Sequence, residues 1–144
     1  MAQKIRGYFL RVDRESGTPY QGYFGEIENE LEAKQLYVNF DEPGGLIQCI
    51  CMDGIDIICH DEGKLRNFPF NRVWIDKDGC VLDIFAGNIM CVRHNDEGEF
   101  VSIEESDRET IEKYLLPLAF ITEHGIIPYD ESTLPEWKGG MSDE

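Results

Sequence analysis

The sequence predicts an α+β fold, a mainly antiparallel sheet built from several hairpins with two helices packed on it. Three observations carry this prediction. Short runs of β-branched and aromatic residues recur between clusters of turn formers; three such runs pair with a neighbour across an acidic, glycine-containing turn; and two stretches with helical spacing stand apart from the strand runs.

Residues 4–12 and 20–27 are rich in aromatic and β-branched side chains, and Asp13-Arg14-Glu15-Ser16-Gly17-Thr18-Pro19 separates them, so two early strands are expected. From Asn29 the pattern changes. Asn29 can cap a helix with Glu32 three residues on, and Leu31, Gln35 and Val38 share one face at i, i+4, i+7, which predicts a helix over 29–38. Pro43 has no amide proton and disfavours helical geometry in the residue before it, so the loop 41–45 ends that helix.

The clearest local signal is the pair of apolar runs 46–52 and 55–60 around Asp53-Gly54, which specifies a two-residue type I′ hairpin. In that register Met52 faces Ile55, Ile50 faces Ile57 and Gln48 faces Cys59, an apolar face for the core. The other face sets Ile47, Cys49 and Cys51 against Asp56, Ile58 and His60. Its mixed character predicts partial exposure or a second, smaller packing layer, and a place for a site.

Asp61-Glu62-Gly63 makes the next turn. Two further hairpins join 73–75 to 80–85 across Asp76-Lys77-Asp78-Gly79, and 89–93 to 99–103 across Asn95-Asp96-Glu97-Gly98. Ile111, Leu115 and Leu116 form the stripe of a second helix within 104–116, capped at Ser102 or Ser106 and closed by Pro117. Beyond Tyr129 periodicity ends, and Leu134 and Trp137 are the residues available to dock the tail. One domain over 1–138 is expected, with a flexible acidic tail at 139–144.

Charge excludes several functions. Thirteen Lys and Arg against 29 Asp and Glu leave a net charge of −16 on 144 residues. Spread over roughly 7,600 Å² of surface, that charge repels nucleic-acid backbones and anionic lipid, so neither is an expected direct partner. The first seven residues carry no apolar run of signal-peptide length, and no stretch approaches a spanning helix. A soluble, cytoplasmic protein is expected. Cys49, Cys51, Cys59, Cys80 and Cys91 are odd in number and fall mostly in strand runs, which suits reduced thiols acting as small apolar residues.

No specific reaction is supported. The sequence lacks a nucleophile elbow, a zinc-protease helix motif, a phosphate-binding loop and a dinucleotide fingerprint. Cys49, Cys51 and His60 share a strand face without metal-ligand spacing, and no metal or cofactor is expected. One segment differs from its acidic surroundings. Gly63 to Arg72 places Lys64, Arg66, Asn71 and Arg72 beside Phe68 and Phe70, a composition able to bind an anionic or planar ligand; His60 precedes it closely. These five polar residues are the candidate ligand- or partner-binding set.

Residues 30–35, Gly44-Gly45-Leu46-Ile47, His60-Asp61-Glu62-Gly63-Lys64-Leu65, Phe68-Pro69-Phe70-Asn71-Arg72 and Asp83-Ile84-Phe85-Ala86-Gly87-Asn88 together resemble domain-of-unknown-function family 3846, a small bacterial and phage domain, over about 24–115. Gly44-Gly45 and Asn71-Arg72 match best, whereas His60 and Gly87-Asn88 depart from its usual residues. The resemblance implies an accessory protein of a bacterial mobile element or phage and no established activity.

Three functions follow as expectations. The first is a non-enzymatic binding protein, meeting a basic protein with its acidic surface, as a DNA-mimicking inhibitor would, or holding a small ligand at 64–72. The second is an enzyme with a non-standard site, in which His60, Cys49, Cys51 and Asp56 act with Arg72. The third is a homodimer formed through an unpaired sheet edge or the mixed hairpin face.

Overall fold

The computed structural model describes residues 3–139. In chain order it contains β1 (Lys4–Leu10), β2 (Tyr23–Glu28), α1 (Leu31–Val38), β3 (Ile47–Met52), β4 (Ile55–His60), β5 (Phe70–Ile75), β6 (Val81–Ala86), β7 (Ile89–His94), β8 (Phe100–Val101), α2 (Asp107–Tyr114), β9 (Leu115–Thr122) and β10 (Gly125–Pro128). A single 3-10 turn follows at Glu131–Thr133. The architecture is α+β with antiparallel strands and two helices, as expected, but the strands divide between two sheets. The first runs β2-β1-β7-β4-β3 with β8 beside β7, and the second runs β10-β9-β5-β6.

The period of two along a strand explains the layering. Tyr8 and Leu10 of β1, Ile55, Ile57 and Cys59 of β4 and Ile89 and Cys91 of β7 point to one side, where Phe85, Ile111 and Leu115 close the space between the sheets. The alternate residues Phe9, Ile58, Met90 and Val92 point to the opposite side and pack under Tyr37 and Val38 of α1. Thus the central strands β1, β7 and β4 are buried on both faces over most of their length. Each fully buried isoleucine contributes about 1.5–3 kcal/mol.

The Asp53-Gly54 hairpin has the expected register, Met52 to Ile55, Ile50 to Ile57 and Gln48 to Cys59. Both turn residues are left-handed, at φ of 50° and 80°, as a type I′ turn requires. The mixed face is resolved by α1, which covers Ile58 while Cys49 and Cys51 remain exposed.

Helix α1 differs from expectation in both its start and its buried face. Asn29 does not cap; its Nδ2 donates to the Phe100 carbonyl at 3.0 Å, and its Oδ1 accepts from Lys34 Nζ at 2.8 Å. The buried side is therefore Lys34, Tyr37 and Val38, while Leu31 is exposed. The helix ends before Pro43 acts. Phe40 and Asp41 adopt left-handed φ, and the Asp41 amide reaches back to the Leu36 carbonyl at 2.7 Å.

The second helix is shorter than predicted; Ser106 stands at its N-cap position, as expected, but neither proposed serine makes a side-chain cap bond. Ser102 Oγ accepts from the Arg6 amide, Ser106 makes no cap bond, and Asp107 takes the Glu104 amide and a two-point bond from Arg93. Leu115, Leu116 and Pro117 belong to β9, with Pro117 opposite Arg72. The sequence reading assigns no element to 118–128, where β9 and β10 form a further hairpin. The tail docks through buried Leu134 and through Trp137, which meets the Tyr20 ring at 5.2 Å and lies under Arg11 at 4.2 Å. Of the tail expected to be flexible, 140–144 lies outside the described residues.

Candidate functional site

β3 and β6 are the outer strands of their sheets, and both line the same two clefts. The first has a volume of about 500 Å³. Its floor is Met52, Trp74 and Tyr114, exposed Leu82 flanks them, and its rim carries Asp53 from the β3–β4 turn and Asp76, Lys77 and Asp78 from the β5–β6 turn. Trp74 is positioned by strand alternation, with its ring stacked at 6.4 Å on buried Phe85, so one part of the indole is anchored and the rest faces the cleft. Asp76 Oδ1 accepts the amides of Asp78 and Cys80, which fixes the acidic turn.

The second cleft, of about 340 Å³, takes in Gln48 of β3, Cys59 and His60 of β4, the turn at 61–65 and Asp83 to Ala86 of β6. Lys64 Nζ pairs with Asp83 Oδ1 at 2.7 Å, both groups being well exposed. His60 is 4% exposed. Its Nδ1 accepts the Glu62 amide at 2.9 Å, so the neutral ring carries its proton on Nε2, which is buried without a hydrogen-bond partner. Burial and the nearby Arg66 charge push its pKa down. Cys59 donates weakly to Gln48 at 3.9 Å, and burial raises its thiol to about 12.

The candidate set is therefore split. His60 and Lys64 line the second cleft, and Arg66 is exposed on the adjoining turn. Asn71 and Arg72 lie inside. Asn71 Nδ2 donates to the carbonyls of Leu10 and Gly87 at 2.7 and 2.9 Å, tying β5 to β1, and its Oδ1 accepts Arg72 Nη1 at 2.6 Å. Of the group considered for an enzyme site, only His60 lines the second cleft and only Cys51 the first. Asp56 is buried against His94 Nδ1 at 2.7 Å. Cys49 is exposed at the surface, yet partial desolvation by its neighbours and then Asp56 raise its thiol to about 11, which keeps it protonated at neutral pH. Among the described residues, no group of three or more His, Cys, Asp or Glu is placed to hold a metal ion.

A second polar cluster lies between the sheets. Tyr8 Oη donates to Glu112, which also accepts Arg108 Nε at 3.1 Å. Arg72 Nη2 donates to the Tyr20 carbonyl at 2.9 Å and meets Glu131 from the C-terminal segment. Burial raises the pKa of both Tyr8 and Glu131. Sequence reasoning missed this cluster and the Trp74–Tyr114 floor. The acidic turns at 53–54 and 76–79 are visible in the sequence, but nothing in one dimension places them side by side.

Fold and clefts define an acidic, two-sheet antiparallel α+β domain with an open seam between its outer strands. The model of the family described as Domain of unknown function (DUF3846) matches residues 5–116, and the chain belongs to that family. No curated protein and no solved structure matches it at a significant level. No helix among the described residues is long and apolar enough to cross a membrane.

Proposed function

We propose that the protein is a non-enzymatic binding protein that receives a basic segment of a partner protein along the seam between β3 and β6. The carrying observation is the first cleft, where the half-buried Trp74 and Tyr114 rings lie among Asp53, Asp76 and Asp78. A Lys or Arg side chain fits that chemistry, its stem on the rings and its charge at the aspartates. A cation over an indole contributes about 0.5–2 kcal/mol. The net charge of −16 speeds the approach of a basic partner, and the outer strands offer main-chain groups to an extended segment. Lys64, beside His60 and Asp83, suits an acidic or amide side chain of the same partner. Free, exposed Cys49, Cys51 and Cys80 favour a reducing cytoplasm, and the family resemblance favours an accessory role in a bacterial mobile element or phage.

Trp74 supplies the assay. In Trp137→Phe it is the sole tryptophan, and its emission is titrated with an extended nonapeptide alternating Arg and Val. We expect saturable quenching that weakens with salt, and about tenfold weaker binding for Asp53→Asn combined with Asp78→Asn. Equal response to a Glu-Val peptide, or no effect of the aspartate changes, rejects the proposal.

A further inference from the structure

Away from the seam, Arg72 is 0% exposed between the sheets. Two of its contacts are firm, Nη1 to Asn71 Oδ1 at 2.6 Å and Nη2 to the Tyr20 carbonyl at 2.9 Å. The third is not. Both carboxylate oxygens of Glu131 stand 3.4 Å from Nη2, and Oε1 is also 3.4 Å from the Gly22 amide. Charge-assisted contacts between guanidinium and carboxylate ordinarily close to about 2.7–2.9 Å. Glu131 thus rests in a cradle that it does not fill.

The cradle and its occupant come from different parts of the chain. Arg72, Asn71 and Gly22 all lie within the 5–116 family match, whereas Glu131 lies beyond it. The segment carrying Glu131 has other anchors. The Gln21 amide donates to the Pro135 carbonyl at 2.9 Å, Gln21 Nε2 donates to the Leu134 carbonyl at 2.8 Å, Leu134 is buried, and Trp137 packs on Tyr20. Burial and the neighbouring Glu112 both oppose ionisation of Glu131, against the pull of Arg72.

We propose that Arg72 and the Gly22 amide form a carboxylate-binding site, filled here by Glu131 as an intramolecular ligand that an external carboxylate can displace. The ligand class is a short carboxylate or an acidic peptide side chain. The C-terminal strap is then a latch, and its release uncovers a cation that the acidic surface otherwise hides.

Glu131→Ala in the full chain leaves the other anchors and opens a carboxylate-sized space. Its thermal unfolding is compared in sodium acetate and in sodium chloride of equal ionic strength. Acetate should raise the midpoint saturably for the variant, with no difference between the two salts for the wild type. If the variant does not fold in chloride, recovery of its near-UV circular dichroism in acetate alone supports the site equally. An equal response to both salts, or recovery in neither, overturns it. Displacement is read from Trp137 emission in Trp74→Phe, using a peptide of sequence 129–135. A red shift is expected with that peptide and not with its Glu131→Gln form, and Glu131→Ala should bind it about tenfold tighter, since the competing occupant is gone. No shift at millimolar peptide overturns displacement.

Discussion

Gly22→Ala tests how tightly the Tyr8 cluster is built. A Cβ at residue 22 would lie 2.4 Å from Tyr8 Oη and 2.5 Å from its Cε2 and Cζ, about 1 Å inside ordinary contact. Elsewhere such a change stabilises by about 0.4–1 kcal/mol, by restricting the unfolded chain. Here the ring is 0% exposed, lies edge-on to Phe24 at 4.9 Å and is bonded to Glu112, so it has little room to retreat. Overpacking costs about 1–3 kcal/mol, and a broken hydrogen bond to a charged group about 1.5–3. The two costs overlap, and the net expectation is a loss of about 2–3 kcal/mol. For a chain of this size that lowers the melting midpoint by roughly 5–10 °C. Urea denaturation of Gly22→Ala, Tyr8→Leu and the double variant forms the assay. The double variant should be less destabilised than the two single losses predict, because leucine does not reach residue 22. A single-variant loss under 0.5 kcal/mol, or strict additivity across the cycle, would refute the reasoning.

Two carboxyls should give pH dependences of opposite sign. The bond from Arg93 holds the pKa of Asp107 below its usual range, so its stabilisation is present above the unfolded pKa and lost as pH falls through the folded one; Asp107→Asn should cost about 1.5–3 kcal/mol at pH 7 and flatten the acid limb. Burial raises the pKa of Glu131, so the wild type should lose stability relative to Glu131→Gln as pH rises from about 4.5 through the raised value, measured by denaturation at several pH values. Ile57→Ala, at a site with 0% exposure between the sheets, should cost about 2–5 kcal/mol in the same urea assay. Iodoacetamide labelling read by peptide mass should modify Cys51 and Cys80 in the native protein, while buried Cys59 and Cys91 react only after unfolding.

The 46–60 hairpin was legible because its information is local. Asp-Gly sets the turn and alternation sets the faces, with no distant residue needed. Helix α1 was less so, since its buried face depends on Lys34 finding Asn29 and lying 5.2 Å from the Phe100 ring, a neighbour 66 residues away in sequence. β9 was hidden because it begins directly at the end of α2, and because Pro117 reads as a terminator although here it sits within a strand. The candidate segment 63–72 was recognised as unusual but divides at the start of β5. Lys64 to Asn67 stay on the surface, Phe68 is buried as an anchor, and Asn71 and Arg72 turn inward to tie strands together. The first cleft could not be read at all, because Met52, Trp74 and Tyr114 converge only once two sheets have formed.

Because neighbouring residues of β1, β4 and β7 feed opposite cores, reading frame matters more to these strands than residue identity. Swapping one aliphatic for another trims a single layer, whereas inserting or deleting one residue exchanges the cargo of both. Length variation among relatives should therefore collect at turns such as 76–79 and 95–98 and avoid the strand interiors, even where their composition drifts.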